Sequence, residues 1–206
     1  MRPSSGSGLV YDLEVSLAGA EHPIWRRFTV PRRLSLAQLH EALLAVMGWQ
    51  GGTSMRSSLM TSTIRIWAWT TMRQASNATG IRLDGALTRG NGVLRYVYDW
   101  GDYWQHLVRR VDSRNRLSSE PVAKVLEEER ACPPEDVGGI GGYMRFLEAI
   151  TTPNLSDHQE LLDWVGGQWD AERFDLGAAQ RRLMAAARRG HWGVCVLGRL
   201  GAAKAQ

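Results

Sequence analysis

The sequence predicts an α+β fold, in which an antiparallel sheet packs against an N-terminal helix and a group of C-terminal helices. Strand-like alternation of apolar and polar residues dominates the first half of the chain, whereas apolar stripes at helical spacing dominate the second half. Apolar residues make up 44% of the 206 residues and charged residues 22%, which is the balance of an ordinary globular protein. We therefore expect one domain over 10–189, preceded by a disordered lead-in at 1–9 and followed by a tail at 190–206.

Two strands are predicted near the N-terminus. Residues 11–17 alternate between apolar and polar side chains, which is the pattern of a strand with one buried face. A second strand is expected over 24–30, where Pro31 ends it.

A second pair of strands is predicted in the middle of the chain. Residues 93–98 are rich in β-branched and aromatic side chains, which favour strands. Residues 104–111 can form the antiparallel neighbour, because 99–102 supply turn chemistry between them. The polar segment 112–121 is expected to be a loop.

The first helix is predicted from its two ends. Ser35 is a favourable N-cap, and Gln38 three residues later completes a capping box. An apolar stripe at helical spacing follows, and Gly48 ends it.

Further helices are predicted in the C-terminal part. An apolar stripe over 143–150 indicates one helix. Ser156 and Gln159 form the pattern of a second capping box, and a last helix is expected over 176–189.

Several segments resemble the signatures of one protein family. The N-terminal signature consists of Ile24-Trp25-Arg26-Arg27, Leu39-His40 and Met47-Gly48-Trp49. Residues 98–106 are similar to the pattern YDFGDxWxH, and residues 130–143 to ACPPEDxGGxxGY. Residues 170–182 are similar to FDxxxxNxRL. On these segments the chain resembles the plasmid pRiA4b ORF-3-like family. The resemblance implies a compact α+β domain and little about chemistry, although some members carry a resolvase-like label from insertion elements.

Residues 53–73 depart from that family pattern. The family continues after Gly-Trp with an HLHxF strand and an acidic region, whereas this stretch contains no acidic residue. Read one base earlier, the codons of 53–57 can encode His-Leu-His-Ala-Phe, and Thr61 and Thr70 become aspartates. We therefore interpret 53–73 as a shifted-frame translation; the alternative is genuine divergence of a surface insertion.

The shifted stretch changes how the net charge is interpreted. The chain has a formal net charge of +4 and a pI of about 9.4. The alternative frame would replace three arginines with about six aspartates and bring the net charge to about −5. The basic pI therefore gives no support to nucleic-acid binding. Loss of an alternating strand should also leave its sheet neighbours unpaired and lower the stability.

A metal site is one candidate for function. Asp99, Asp102 and His106 cluster around the predicted hairpin, and carboxylates with an imidazole are ligands for divalent zinc or manganese. The alternative is a turn held by aspartate hydrogen bonds, with His106 half-buried. The two histidines of the family's HLHxF strand could be further ligands. If relatives bind a metal through them, this protein should be inactive, because the histidine pair is absent from its sequence.

A second candidate is the glycine-rich loop that contains Cys132, Glu135 and Asp136. A nucleophilic cysteine would need a nearby base such as His40 or His106. The alternative is a rigid structural loop, which the two prolines favour.

A third candidate is a strip of basic side chains beside an aromatic one. Arginines next to a tryptophan can contact phosphate and stack on a base, whereas the alternative is an ordinary solvated strand edge. The strip consists of Trp25, Arg26, Arg27, Arg32 and Arg33.

The function that we expect is a non-catalytic binding or accessory domain, tied to plasmid or mobile-element genes by the resemblance alone. A metal-dependent enzyme or metal-binding protein and a nucleic-acid-binding module are the alternatives. No apolar run approaches the roughly 18 residues of a membrane span, so a membrane partner is not expected. Cys132 and Cys195 make no disulfide framework, which favours the cytoplasm; a single disulfide between them is the alternative.

Overall fold

The computed structural model describes residues 8–49 and 80–192, together with the backbone of 65–67. Six strands form one sheet in the order β3-β4-β5-β1-β2-β6, and every neighbouring pair is antiparallel. The strands are β1 (Leu9–Leu17), β2 (Trp25–Pro31), β3 (Arg65–Trp67), β4 (Val93–Tyr98), β5 (Trp104–Asn115) and β6 (Lys124–Glu129). The antiparallel sheet of the predicted α+β fold is confirmed.

Helices cover one face of this sheet. They are α1 (Leu36–Met47), α2 (Leu83–Arg89), α3 (Gly139–Thr151), α4 (His158–Val165) and α5 (Leu176–Arg189). The alternating apolar side chains of β1 are buried in one core cluster with the apolar stripes of α1 and α5. The opposite side of β1 carries charge, where Glu14 pairs with Arg109 at 3.9 Å.

The predicted ends of α1 are confirmed. The Gln38 amide N–H donates to Ser35 Oγ at 3.2 Å, and the Gln38 side chain accepts from the Ser35 amide at 2.9 Å. Gly48 ends the helix with a left-handed φ of 99°, a conformation that glycine adopts without strain.

The second predicted capping box is wrong. Helix α4 has Asp157, not Ser156, as its N-cap, and this side chain makes no capping hydrogen bond. The Asp157 carboxylate instead accepts from Arg145 at 2.9 Å, so that a tertiary ion pair replaces the local cap.

The end of strand β5 also differs from the prediction, and two short elements were missed. Strand β5 continues to Asn115 through part of the expected loop, because all of β1 pairs with it; a bulge at Asp12/Leu13 shifts the register without ending the pairing. Strand β6 and helix α2 were not predicted. Both are short, and the acidic end of β6 and Gly85 inside α2 weaken the local signals.

Helix α5 protects the sheet edge at β6. The Gln180 side chain accepts from the Val125 amide at 2.8 Å and donates to the Ala123 carbonyl at 3.3 Å. One side-chain amide thus satisfies a donor and an acceptor as a neighbouring strand would.

The C-terminal boundary of the packed body extends beyond the predicted domain end. Gln38 Nε2 donates to the Gly190 carbonyl at 2.8 Å, and Trp192 is buried in the core cluster. The rest of the predicted tail and most of the predicted lead-in lie outside the described residues.

The proposed shifted stretch, 53–73, also lies outside the described residues except for the backbone of β3. That backbone pairs with β4, with Arg65 opposite Val97 and Trp67 opposite Arg95. The edge of β4 is therefore paired over three residues, in contrast to the expectation that it has no neighbour.

Within the helices that the structure describes, none is both long and apolar enough to cross a membrane.

Candidate functional site

An open cavity of about 410 Å³ lies where the end of α1, the loop after β6 and the start of α5 meet. We call it the motif cavity. Its walls are Met47–Trp49, Ala131–Glu135, Trp169, Arg173–Asp175 and Arg182. Three of the segments that resemble the family contribute to these walls, although they are far apart in the sequence.

Trp49 ties the end of α1 to the proline-containing loop. Because Gly48 turns the chain, the Trp49 indole can donate to the Pro133 carbonyl at 2.9 Å. The same ring stacks on Tyr98, with 5.0 Å between the ring centroids. The tryptophan is buried and fixes one wall of the motif cavity.

A second set of contacts ties the loop to the β4–β5 hairpin. The Tyr98 hydroxyl donates to Glu135 Oε1 at 3.0 Å, and the Gly138 amide donates to Asp102 Oδ2 at 3.2 Å. A Cβ atom on Gly139 would collide with the Asp102 carbonyl oxygen, and the φ of Gly139 is +67°. The glycines are therefore required for the close approach of loop and hairpin.

Arg26 lies beneath the motif cavity and is fully buried. Its guanidinium donates to the carbonyls of Val46 at 3.2 Å and Glu129 at 2.8 Å, and stacks 3.7 Å from the ring centroid of Phe174. Its Nη2 atom is buried without a hydrogen-bond partner. Burial lowers the pKa of this side chain.

Arg26 and Arg182 both donate hydrogen bonds to carbonyls at the C-terminal end of α1. Arg182 Nε donates to the Ala45 carbonyl at 3.1 Å, next to the carbonyl that Arg26 contacts. The last turn of α1 contains no basic residue of its own. The two arginines therefore supply the cations that the negative end of the helix dipole favours.

The residues of the predicted basic strip do not share one face: Arg26 lies on the buried side of β2, and Trp25 and Arg27 lie on the other side. Arg26 faces the core because it shares the buried side of β2 with Phe28 and Val30, and this parity could have been read from the sequence. Arg26 therefore does not belong to an exposed strip.

The other members of the strip lie outside the core. Arg27 pairs with Glu127 at 3.7 Å and Arg32 with Asp84 at 3.5 Å, while the Trp25 indole donates to Glu129. Arg33 is exposed. Nucleic-acid contact by these four residues stays a prediction.

The predicted metal ligands are placed in two environments. Asp99 lies in the β4–β5 turn, where its Oδ1 accepts from the Gly101 amide at 2.7 Å. His106 points into the core, with its ring centroid 5.3 Å from that of Trp49 and 5.4 Å from that of Tyr96. Over the described ranges, no three His, Cys, Asp or Glu side chains are arranged to hold a metal ion.

The two hairpin aspartates lie near the acidic residues of the loop. The pKa of Asp136 is raised, first by burial and then by the charges of Asp102, Glu135 and Asp99. The structure thus brings four of the predicted site residues together and separates His106 from them. A metal at Asp99, Asp102 and His106 stays a prediction.

Cys132 lines the motif cavity but is 8% exposed. Burial raises the pKa of its thiol far above the usual range, although nearby Arg26 opposes the shift. Among the described residues, neither imidazole hydrogen-bonds the thiol: His40 Nδ1 instead lies 2.6 Å from the Tyr96 hydroxyl. At neutral pH the thiol is therefore protonated and is a weak nucleophile.

The motif cavity contains residues that the sequence did not single out as a site. Trp49, Phe174 and Arg182 all lie within segments that resemble the family, and this is the signal that could have found them. Their convergence depends on the tertiary packing of α1 and α5 and could not be predicted from spacing.

Comparisons with known proteins agree with this fold. A family model described as plasmid pRiA4b ORF-3-like protein matches residues 9–178. An uncharacterised protein of Sinorhizobium fredii, y4hQ, is 33% identical over 163 residues, which is 76% of this chain and 81% of that protein. A crystallised protein of unknown function from Methanosarcina mazei Go1 superposes with a TM-score of 0.71 at 27% identity, over 82% of this chain and 96% of the other. The chain belongs to the plasmid pRiA4b ORF-3-like family.

Proposed function

We propose that the protein is a non-catalytic binding domain of the cytoplasm, which works as an accessory to plasmid or mobile-element genes. One observation carries the binding role: segments that resemble the family converge on an open cavity, while Cys132 and His106 are withdrawn from solvent. An open cavity is the usual form of a small-molecule site, and a thiol that is buried and protonated does not favour nucleophilic chemistry there.

The contacts around the motif cavity support this role. Three side chains of the cavity walls form hydrogen bonds with neighbouring elements: Trp49, Glu135 and Arg182. These bonds fix the walls before a ligand binds. Fixed walls lower the entropic cost of binding.

The reactivity of Cys132 tests the non-catalytic part of the proposal. In a Cys195→Ser background, iodoacetamide at about pH 7.5 should alkylate Cys132 at least about 100-fold more slowly in the native protein than in urea, because the thiol is buried and protonated. A native rate equal to or above the unfolded rate would mean an activated thiol and would contradict the proposal.

A ligand screen tests the binding part. Thermal unfolding in the presence of a chemically diverse set of small metabolites should yield at least one saturable ligand that mass spectrometry recovers unchanged. Conversion of a ligand by wild type but not by Cys132→Ser or Glu135→Gln would establish catalysis and end the proposal.

The genetic association rests on the name of the family. Sequencing of the DNA that flanks the gene should reveal plasmid-maintenance or transposition genes. Flanks that contain only chromosomal housekeeping genes would remove this part of the proposal. A single unpaired cysteine among the described residues, Cys132, supports the cytoplasmic placement.

A further inference from the structure

We propose that the motif cavity binds the oxyanion head of a small organic anion, a carboxylate or a phosphate carried on a flat apolar body. This inference deepens the binding role proposed above and rests on it.

Two arginines at the motif cavity lack an ion-pair partner among the described residues. Neither Arg26 nor Arg182 makes an ion pair within the described ranges; both guanidiniums are held by neutral carbonyls at the end of α1. Arg26 keeps a buried Nη2 without a hydrogen-bond partner, and its guanidinium carbon lies 3.7 Å from the centroid of the Phe174 ring, which lines the cavity. A buried cation without a counter-ion is costly, and an anion placed above it lowers that cost.

Arg173 lines the motif cavity and is exposed to solvent. Its backbone is held by the turn in which its amide donates to the Asp170 carbonyl at 3.2 Å. In the part of the chain that the structure describes, its guanidinium has no hydrogen bond or ion pair, and it is exposed. Together with Arg182 it offers the planar donor pairs that match a carboxylate or phosphate.

The acidic residues of the cavity are occupied elsewhere. Glu135 accepts from Tyr98 at 3.0 Å. The Asp175 carboxylate caps α5 by accepting from the Ala178 amide at 2.7 Å. Both carboxylates keep their charge, but neutral donors of neighbouring elements hold their oxygens, and Arg173 is left as a cavity side chain with unused donors within the described ranges.

The apolar lining indicates the rest of the ligand. Three residues with ring side chains, Trp49, Pro133 and Phe174, line a space of about 410 Å³. That volume lies within the range of about 300–1,000 Å³ that is typical of small-molecule sites. A flat ring that carries one oxyanion would fill both parts of the cavity.

Calorimetric titration of the full chain at about pH 7.5 tests the proposal with defined probes. Phenyl phosphate and benzoate supply the two oxyanions, inorganic phosphate lacks the apolar body, and benzyl alcohol lacks the charge. We expect saturable binding of at least one aromatic anion, and weaker binding of inorganic phosphate and of benzyl alcohol.

The variants assign the binding to this cavity. Arg173→Gln should raise the Kd of the aromatic anion by about tenfold or more, because a charge-assisted donor is lost. The substitution removes no structural contact of the side chain. Arg188→Gln removes the same charge from an exposed position of α5 outside the cavity and should change the Kd by less than about twofold. Arg182→Gln provides a second cavity variant, and its thermal unfolding shows whether the loss of the Ala45 contact harms the fold.

Two results would overturn the proposal. The first is the absence of saturable binding of every anionic probe by the wild type. The second is an equal loss of affinity for the aromatic anion in Arg173→Gln and Arg188→Gln, which would indicate general attraction to a basic surface. If the anions fail but the wider screen finds an uncharged ligand, only the anion assignment fails. Turnover of a ligand would defeat the binding role itself.

Discussion

His106 is a buried polar residue whose contacts are mostly aromatic. It is 2% exposed, and neither ring nitrogen forms a hydrogen bond. Burial lowers its pKa to about 4, and nearby backbone groups of Trp104 and Tyr96 oppose the shift. The imidazole is therefore neutral at neutral pH, and it acts as a packing residue beside Trp49.

This residue should make the protein sensitive to acid. The folded pKa of about 4 lies below the ordinary value of 6.5 that applies to the unfolded chain. The unfolded state therefore takes up the proton first, and His106 should remove up to about 3 kcal/mol of stability as the pH falls from about 6.5 to about 4. Urea unfolding at several pH values measures this loss.

A pair of variants isolates the effect. His106→Phe should reduce the acid sensitivity in that window, because no imidazole has to be protonated in the core. His22→Asn changes an exposed histidine and should keep the wild-type slope. Identical slopes for wild type and His106→Phe would show that His106 is not the group responsible.

Gly141 and Gly142, in the first turn of α3, differ in the space available for a side chain. A Cβ atom on Gly142 would collide with the Val137 carbonyl oxygen, whereas one on Gly141 would meet nothing within 4 Å. Gly142→Ala should therefore destabilise the protein by about 1–3 kcal/mol. Gly141→Ala, in the same turn, should be neutral or stabilising by up to about 1 kcal/mol. Chemical denaturation compares the two, and equal effects would contradict the close approach.

The edge strand β6 gives a second test at the level of elements. Gln180→Ala removes both hydrogen bonds that Gln180 makes to the edge and should cost about 1–2 kcal/mol. Gln159→Ala loses only an exposed bond to Asp163 within α4 and should cost less than about 0.5 kcal/mol. A Gln180→Ala protein as stable as Gln159→Ala would mean that α5 does not protect this edge.

Local signals predicted some elements and missed others for physical reasons. The capping box at Ser35 and the helix over 176–189 were predicted because their stabilising contacts are near in sequence. Strand β6 was missed because its partners are β2 and a side chain of α5, which are distant in sequence.

The candidate site was predictable only as separate pieces. The proline-containing loop and the hairpin were recognised, and the structure brings Asp102 and Glu135 together. Phe174 and Arg182 converge on one cavity, and Arg26 packs against Phe174, because α1, β2 and α5 pack together, so that no sequence spacing encodes the arrangement.

At the scale of the whole molecule, the proposed frame shift predicts a stability deficit. Replacement of 53–73 by the alternative-frame residues should raise the melting temperature, because an alternating strand would restore apolar burial at the sheet edge. The same change should lower the isoelectric point to acidic values. A melting temperature equal to that of the present chain would argue for genuine divergence of the segment, and resequencing of the gene provides an independent check.

The most direct test of the account is a crystal structure of the full chain soaked with phenyl phosphate. The account predicts the phosphate between Arg173 and Arg182, with its ring against Phe174 and Trp49. An empty motif cavity at saturating ligand, or phosphate bound only to arginines on the outer face of the sheet, would contradict it.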